Sequence, residues 1–363
     1  MTLVDLFMFG GFMLAAYSIV ANDAIQTLGT FLSSNAHRPW WVLWAWASSV
    51  LVAVLVYGWV TNYGDVAYGR LEKFPPPAGG ITWIHAIPPV FLLLLTRYGV
   101  PVSTTFLILT VFAPGNLGGM FVKSILGYAV AIVVGLVVYV AFVKTVERRF
   151  LETADHPPAR YWIVLQWLAT AFLWSQWLVQ DLANIFVYLP RTLSVELLVM
   201  AVVLMLCLHA WIFYRRGGAI QKIVTSKTNT LDIRSATFID FIYGIILLVF
   251  KEASNLPMST TWVFLGLLAG REIALTLNLK HRDMRETLGL VAKDGGKALA
   301  GLAVSVALAF GLPALQRALE HRADEKASVP PLAPAPAAET PPPAAEPERP
   351  AEVAVRPAEP AES

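Results

Sequence analysis

Two phrases decide how this chain is read: YGVPVSTTF at 98–106 and SNLPMSTTW at 254–262. Each sets Ser-Thr-Thr just after a proline break inside an apolar region. A second pair lies upstream, ANDAIQTLG at 21–29 and VQDLANIFV at 179–187. Asp23 precedes Ser103 by 80 residues, and Asp181 precedes Ser259 by 78. Unrelated short matches rarely keep one separation, so the spacing predicts an internal duplication with repeats over 1–150 and 155–320.

The solvent of these repeats follows from composition. Hydrophobic residues make up 56% of the 363 and charged residues 14%, against roughly 25% charged in soluble domains. Mean hydropathy is +0.60. Apolar runs at 3–20, 41–60, 118–143, 161–179, 193–214 and 299–315 approach or exceed the roughly 20 residues a helix needs to cross the hydrocarbon layer. The fold class is therefore all-α integral membrane, embedded in lipid. The opening MTLVDLF has no basic segment, and AND follows the first apolar run without a cleavage pattern, so the expectation is a retained first span. The 27 basic and 25 acidic residues nearly cancel, which argues against a nucleic-acid partner. Cys207, the only cysteine, excludes an intrachain disulfide framework and a thiolate metal cluster.

Regions 81–113 and 236–277 are apolar but interrupted, the first by Pro88, Pro89, Gly99 and Pro101, the second by KEASNLPMS at 251–259. Each is too long for one straight span. A polar break near the middle suits a re-entrant helical hairpin whose unwound centre is enclosed by protein; prolines that merely kink a helix are the alternative. Beyond about residue 323 the chain is rich in Pro, Ala and Glu with no aromatic residue, and a disordered, extended tail is expected over 323–363.

Loop charges predict orientation. The 215–234 stretch carries five Lys or Arg, and its counterpart at 61–80 carries two, Arg70 and Lys73. The positive-inside rule assigns the former to the cytoplasm and the latter outside. Basic stretches at 144–160 and 280–297 then also fall inside, the second repeat running inverted relative to the first. An inverted repeat with broken helices is a common physical basis for alternating access.

Inside the membrane a carboxylate needs pairing, hydration or a cation. Asp23 is flanked by Asn22 and Gln26, Asp181 by Gln180 and Asn184. Carboxylate and amide oxygens suit a small hard cation such as sodium, and the same carboxylates could carry a coupling proton; Asx capping at span ends is the alternative. Ser103, Thr104, Thr105 and Ser259, Thr260, Thr261 are expected to open the second helix of each hairpin. Free N–H groups, a positive helix terminus and three hydroxyls make an oxyanion site there, with simple N-capping the plainer alternative. Glu196 and Asp240 read as interface or pathway acids, Arg271 and Glu272 as a self-neutralising pair, and His85 and His209 as satisfied histidines without metal spacing.

These phrases resemble those of the inorganic phosphate transporter family, PiT, whose halves each carry a motif close to GANDVANA and a later PVSTTH. The resemblance spans about 5–315. Its first motif meets Val20 to Thr27 and its second Leu178 to Ile185, with Asp23 and Asp181 matching and one Asn of each motif replaced by Gln, at Gln26 and Gln180. PVSTT is intact at Pro101 to Thr105, and Met258 stands for Val in the second copy; the family histidine is Phe106 and Trp262 here. No acid lies in 41–60, where family members usually carry one. The resemblance implies a homodimeric symporter of inorganic phosphate in the plasma membrane, a bacterial inner membrane, coupled to sodium or protons. Ser103, Thr104, Thr105, Ser259, Thr260, Thr261, Gln26 and Asn184 would then face the anion, and Asn22, Asp23, Gln180 and Asp181 the cation. The departures make sulfate permease the runner-up. A non-transporting receptor or scaffold acting through the tail is a rival from another class, and nothing in the chain suggests an enzyme or a cofactor beyond the coupling ion.

Overall fold

The computed structural model describes residues 2–98, 102–142, 149–150, 153, 158–217, 232–253, 257–279 and 283–328. The chain divides into units Met1–Ala318 and Leu319–Ser363, and the first contains every site described below. Its helices are α1 (Leu3–Ile19), α2 (Ile25–Ser34), α3 (Trp40–Thr61), α4 (Trp83–Arg97), α5 (Thr110–Phe112), α6 (Leu117–Phe142), α7 (Tyr161–Phe186), α8 (Val195–Tyr214), α9 (Ile233–Ala253) and α10 (Thr260–Leu279), with α11 (Met284–Ser328) continuing past the unit boundary. A π-helical turn at Val20–Ala24 joins α1 to α2, and another at Thr105–Leu109 leads into α5. Among the described residues, eight helices are long and apolar enough to cross a membrane. This is an all-α, multi-span membrane protein.

Local chemistry starts these helices. Thr2 Oγ1 accepts from Asp5 N–H at 3.2 Å while Asp5 Oδ2 accepts from Thr2 N–H at 2.7 Å, a reciprocal cap on α1. Ser194 caps α8 at Leu197 N–H. The expected runs map onto the helices with two differences. The basic stretch at 280–297, expected on the cytoplasmic side, is helical from Met284, well before the apolar run at 299–315; MRETLGLVAK at 284–293 has no Pro to stop a helix. The helix runs on across Pro313 to Ser328, beyond the expected start of the tail; the rest of the tail lies outside the described residues, as does 218–231 of the loop that predicted the cytoplasmic side.

Both interrupted regions are pairs of helices meeting at a break. In the first, α4 runs inward across Pro88 and Pro89, and the chain returns through 104–112 so that the Phe112 ring ends 4.7 Å from the ring of His85. In the second, α9 and α10 are each of spanning length. Helix α10 packs along α6 and α9 along α7. The α6–α10 contact is made backbone to backbone: a Cβ on Gly266 would lie 2.5 Å from Tyr128 O, and one on Gly135 2.8 Å from Leu267 O. Small residues at this spacing give lipid-embedded helices their close approach, since lipid supplies no hydrophobic drive between them.

The 62–82 segment is an ordered plug stitched to its surroundings. Asp65 accepts from Ala67 and Gly69 N–H, each at 2.7 Å. Leu193 N–H donates to Gly64 O, Arg191 Nη2 to Phe74 O, and Asn116 Nδ2 to Lys73 O. These ties hold Val66, Ala67, Arg70, Leu71 and Phe74 buried.

Candidate functional site

The π-helical turn is where the first motif leaves regular geometry, and π turns recur at functional sites because they re-aim side chains. From it Asn22 and Asp23 point into protein. Asn22 Nδ2 donates to Asp23 Oδ1 at 2.6 Å, Thr104 Oγ1 donates to Asp23 Oδ2 at 2.6 Å, and Thr96 Oγ1 donates to Asn22 Oδ1 at 3.1 Å. Both carboxylate oxygens of Asp23 are thus engaged. Gln26 belongs to a stretch whose side chains lie outside the described set.

The second motif is built differently. Gln180 and Asp181, expected to close their helix, lie within α7, which runs on to Phe186; neither Asp serves as a terminal cap. Asn184, one turn along, donates from Nδ2 to Asp181 Oδ1 at 2.7 Å and reaches Thr104 and Thr105 Oγ1, each at 3.2 Å. Thr105 Oγ1 is 3.2 Å from both Asp181 Oδ1 and Met258 O. Gln180 Nε2 donates to Leu247 O at 3.0 Å.

The two Ser-Thr-Thr segments open helices at the breaks. Ser103 Oγ accepts from Phe106 N–H at 3.3 Å and Ser259 Oγ from Trp262 N–H at 3.2 Å. Ser124 Oγ of α6 accepts from Ser259 N–H at 2.9 Å. Thr261 Oγ1 donates to Val102 O at 3.5 Å, and the rings of Phe106 and Trp262 lie 5.8 Å apart. Thr260 lies beside Asp181, with its carbonyl accepting from Tyr243 O–H at 2.9 Å. One cluster therefore joins Asn22, Asp23, Thr104, Thr105, Asp181 and Asn184 by direct hydrogen bonds, with Thr260 at its edge.

Three buried acceptors in the second half, Gln180 Oε1, Asp181 Oδ2 and Asn184 Oδ1, have no donor within hydrogen-bond distance. A buried acceptor without a donor is costly, about 1–3 kcal/mol. Oxygen-only, part anionic, this set fits a hard monovalent cation or a proton.

Sequence reasoning misplaced two polar residues. Asp240, read as an interface or pathway acid, is away from any interface, fully buried and accepting from Thr30 Oγ1 at 2.5 Å and Thr170 Oγ1 at 2.6 Å. Thr170 in turn accepts from Gln166 Nε2, and Gln166 Oε1 from Asn35 Nδ2, each at 3.0 Å. Arg70, counted as a loop charge, is buried with neither Nη1 nor Nη2 hydrogen-bonded. Desolvation lowers its guanidinium to about 10, opposed by the charge of Asp181, so it stays cationic at neutral pH. Other expectations kept their places: Glu196 is exposed in the first turn of α8, Arg271 Nη1 pairs with Glu272 at 3.1 Å, and His85 is buried with Nδ1 3.1 Å from Thr82 N. His209, expected as a satisfied histidine, is buried with Nδ1 2.8 Å from Met205 O, but its Nε2 has no hydrogen-bond partner. Among the described residues no three His, Cys, Asp or Glu side chains gather as a metal site.

No family model and no curated protein matches the chain. It shares its fold with a solved structure described as the sodium-dependent phosphate transporter, at a TM-score of 0.59 and 16% identity, over 87% of this chain and 99% of that one. The chain has a membrane transporter's fold. Nearly the whole length of that protein is matched, so the likeness is one of overall fold.

Proposed function

We propose that this protein is a secondary active transporter of inorganic phosphate, driven by sodium or protons through alternating access of two inverted repeats, with a re-entrant hairpin in the first and the helix pair α9 and α10 at the corresponding place in the second. One observation carries the reading: two carboxylates on distant stretches of chain and two Ser-Thr-Thr helix openings converge on a single buried cluster. Helix N-termini favour an oxyanion and the unsatisfied oxygens favour a cation, so one site offers both halves of a symport. Thr104 and Thr105 here donate to or adjoin carboxylates; substrate entry would exchange those bonds for bonds to the anion.

Phosphate is preferred over sulfate on the strength of the family resemblance. The protein works in the plasma membrane of a bacterium as a homodimer, on the strength of the family resemblance.

Counterflow of labelled phosphate and labelled sulfate in proteoliposomes, with sodium or pH gradients imposed separately, tests this. Saturable phosphate counterflow accelerated by one gradient is expected. Faster sulfate than phosphate would replace the substrate, and no counterflow of either would leave the receptor or scaffold reading, for which deleting the tail should abolish the phenotype.

A further inference from the structure

Arg70 is the buried charge that the symport reading leaves unused. It is 2% exposed, and both terminal nitrogens lack a partner. Long cationic side chains ordinarily extend toward water. Here the plug holds the side chain inward, through the Asp65 turn on one side and the Arg191 and Asn116 ties on the other. Its charge acts on Asp181 of the cluster and on Lys123 of α6. Lys123 adjoins Ser124, the residue that accepts from Ser259 N–H where the second Ser-Thr-Thr opens. Arg70 is therefore buried beneath the plug, within electrostatic reach of Asp181.

The cluster poses a problem that Arg70 answers. Asp23 and Asp181 repel any anion approaching the helix openings, and hydroxyls and N–H groups supply only partial charge. A planar guanidinium with two unused Nη groups matches the edge of a tetrahedral oxyanion by paired, charge-assisted hydrogen bonds. Burial out of bulk water strengthens such bonds, and an unpartnered buried cation is maintained only where something compensates it. We propose that Arg70 binds the transported oxyanion through its Nη groups, making the plug segment part of the substrate site. This rests on the transport reading above and adds the residue that would make the site attractive to a dianion.

The full-length protein, purified with sodium present, would be titrated calorimetrically with inorganic phosphate and with sulfate, and the anion that binds used throughout. R70Q is expected to bind it at least about 10-fold more weakly at unchanged folded yield, the loss of a charge-assisted hydrogen bond or more. R70K, which keeps the charge but not the fork, should fall between. K73Q removes an exposed cation of the same plug and should stay within twofold of the parent. R70Q within twofold of the parent overturns the proposal; so does a K73Q loss as large as that of R70Q, which would mean a diffuse field. Should R70Q fail to fold, R70K decides: threefold weaker or more supports the contact, and within twofold overturns it. A parent protein that binds neither anion overturns the transport reading and this inference with it, whereas a binding parent with insensitive Arg70 variants overturns this inference alone.

Discussion

The two aspartates occupy corresponding motifs, yet their surroundings differ in kind. Asp23 has a donor on each oxygen, one from its neighbour Asn22 and one from Thr104 across the break. Asp181 has donors on Oδ1, while Oδ2, Gln180 Oε1 and Asn184 Oδ1 have none. The motif exchange accounts for this. Asn at position 22 is short enough to fold onto the adjacent carboxylate, whereas the longer Gln180 reaches out to Leu247 O and leaves its carbonyl oxygen without a donor. A duplicated sequence has thus produced one satisfied carboxylate, which ties the break to its motif, and one carboxylate whose second oxygen, like the neighbouring amide oxygens, lacks a donor.

That contrast can be broken most sharply at the carboxylates themselves. D181N should weaken the apparent affinity for the driving cation by about 10- to 150-fold, the value of one charge-assisted contact, while D23N should alter yield or maximal rate with a smaller shift in cation dependence. Equal shifts in uptake assays over a cation series would erase the difference. Next in size is N184A. Its Nδ2 serves Asp181, Thr104 and Thr105, so thermal unfolding of the purified protein should report a loss of about 1–3 kcal/mol; an unchanged transition would mean the two halves are not joined there.

The hydroxyls come third. T260V should weaken phosphate binding about 10-fold, because Thr260 faces the acceptor-rich half, and T104V less, because that hydroxyl is already committed to Asp23. Calorimetry showing the reverse order would place the anion against the first half. The smallest effect is expected from N22Q, which lengthens the amide that holds Asp23 Oδ1; stability should fall by about 1 kcal/mol with cation dependence retained. An N22Q protein that gained the cation response of the Asp181 half would show that amide length alone sets the asymmetry.

Much of this architecture is legible in one dimension, and the exceptions share a cause. Runs 41–60, 118–143 and 193–214 read as spans and coincide closely with α3, α6 and α8, since an apolar stretch of spanning length has few other solutions. The helix ends at Arg97 and Ala253 and the new starts at Thr105 and Thr260 bracket the proline-containing phrases quoted above. Residues 284–297, by contrast, lie outside every apolar run and are helical all the same, because Glu, Lys and Arg are good helix formers. Asp240, early in an apolar run, reads as an interface or pathway acid, but Thr30 and Thr170 donate to it from other helices. No local pattern names such partners.

What the sequence determined by itself is therefore the class of protein, the places where its helices cannot stay regular, and the pairing of Asp with Ser-Thr-Thr in both halves. These are properties of hydropathy, spacing and residue chemistry along the chain. Only the tertiary structure decided that Thr104 and Thr105 meet Asn184, that one carboxylate is saturated and the other not, and that Arg70 turns inward under its plug. The physical reason is that the sign and strength of a polar group's contribution depend on which partners reach it once water is gone, and those partners are separated by scores of residues in sequence.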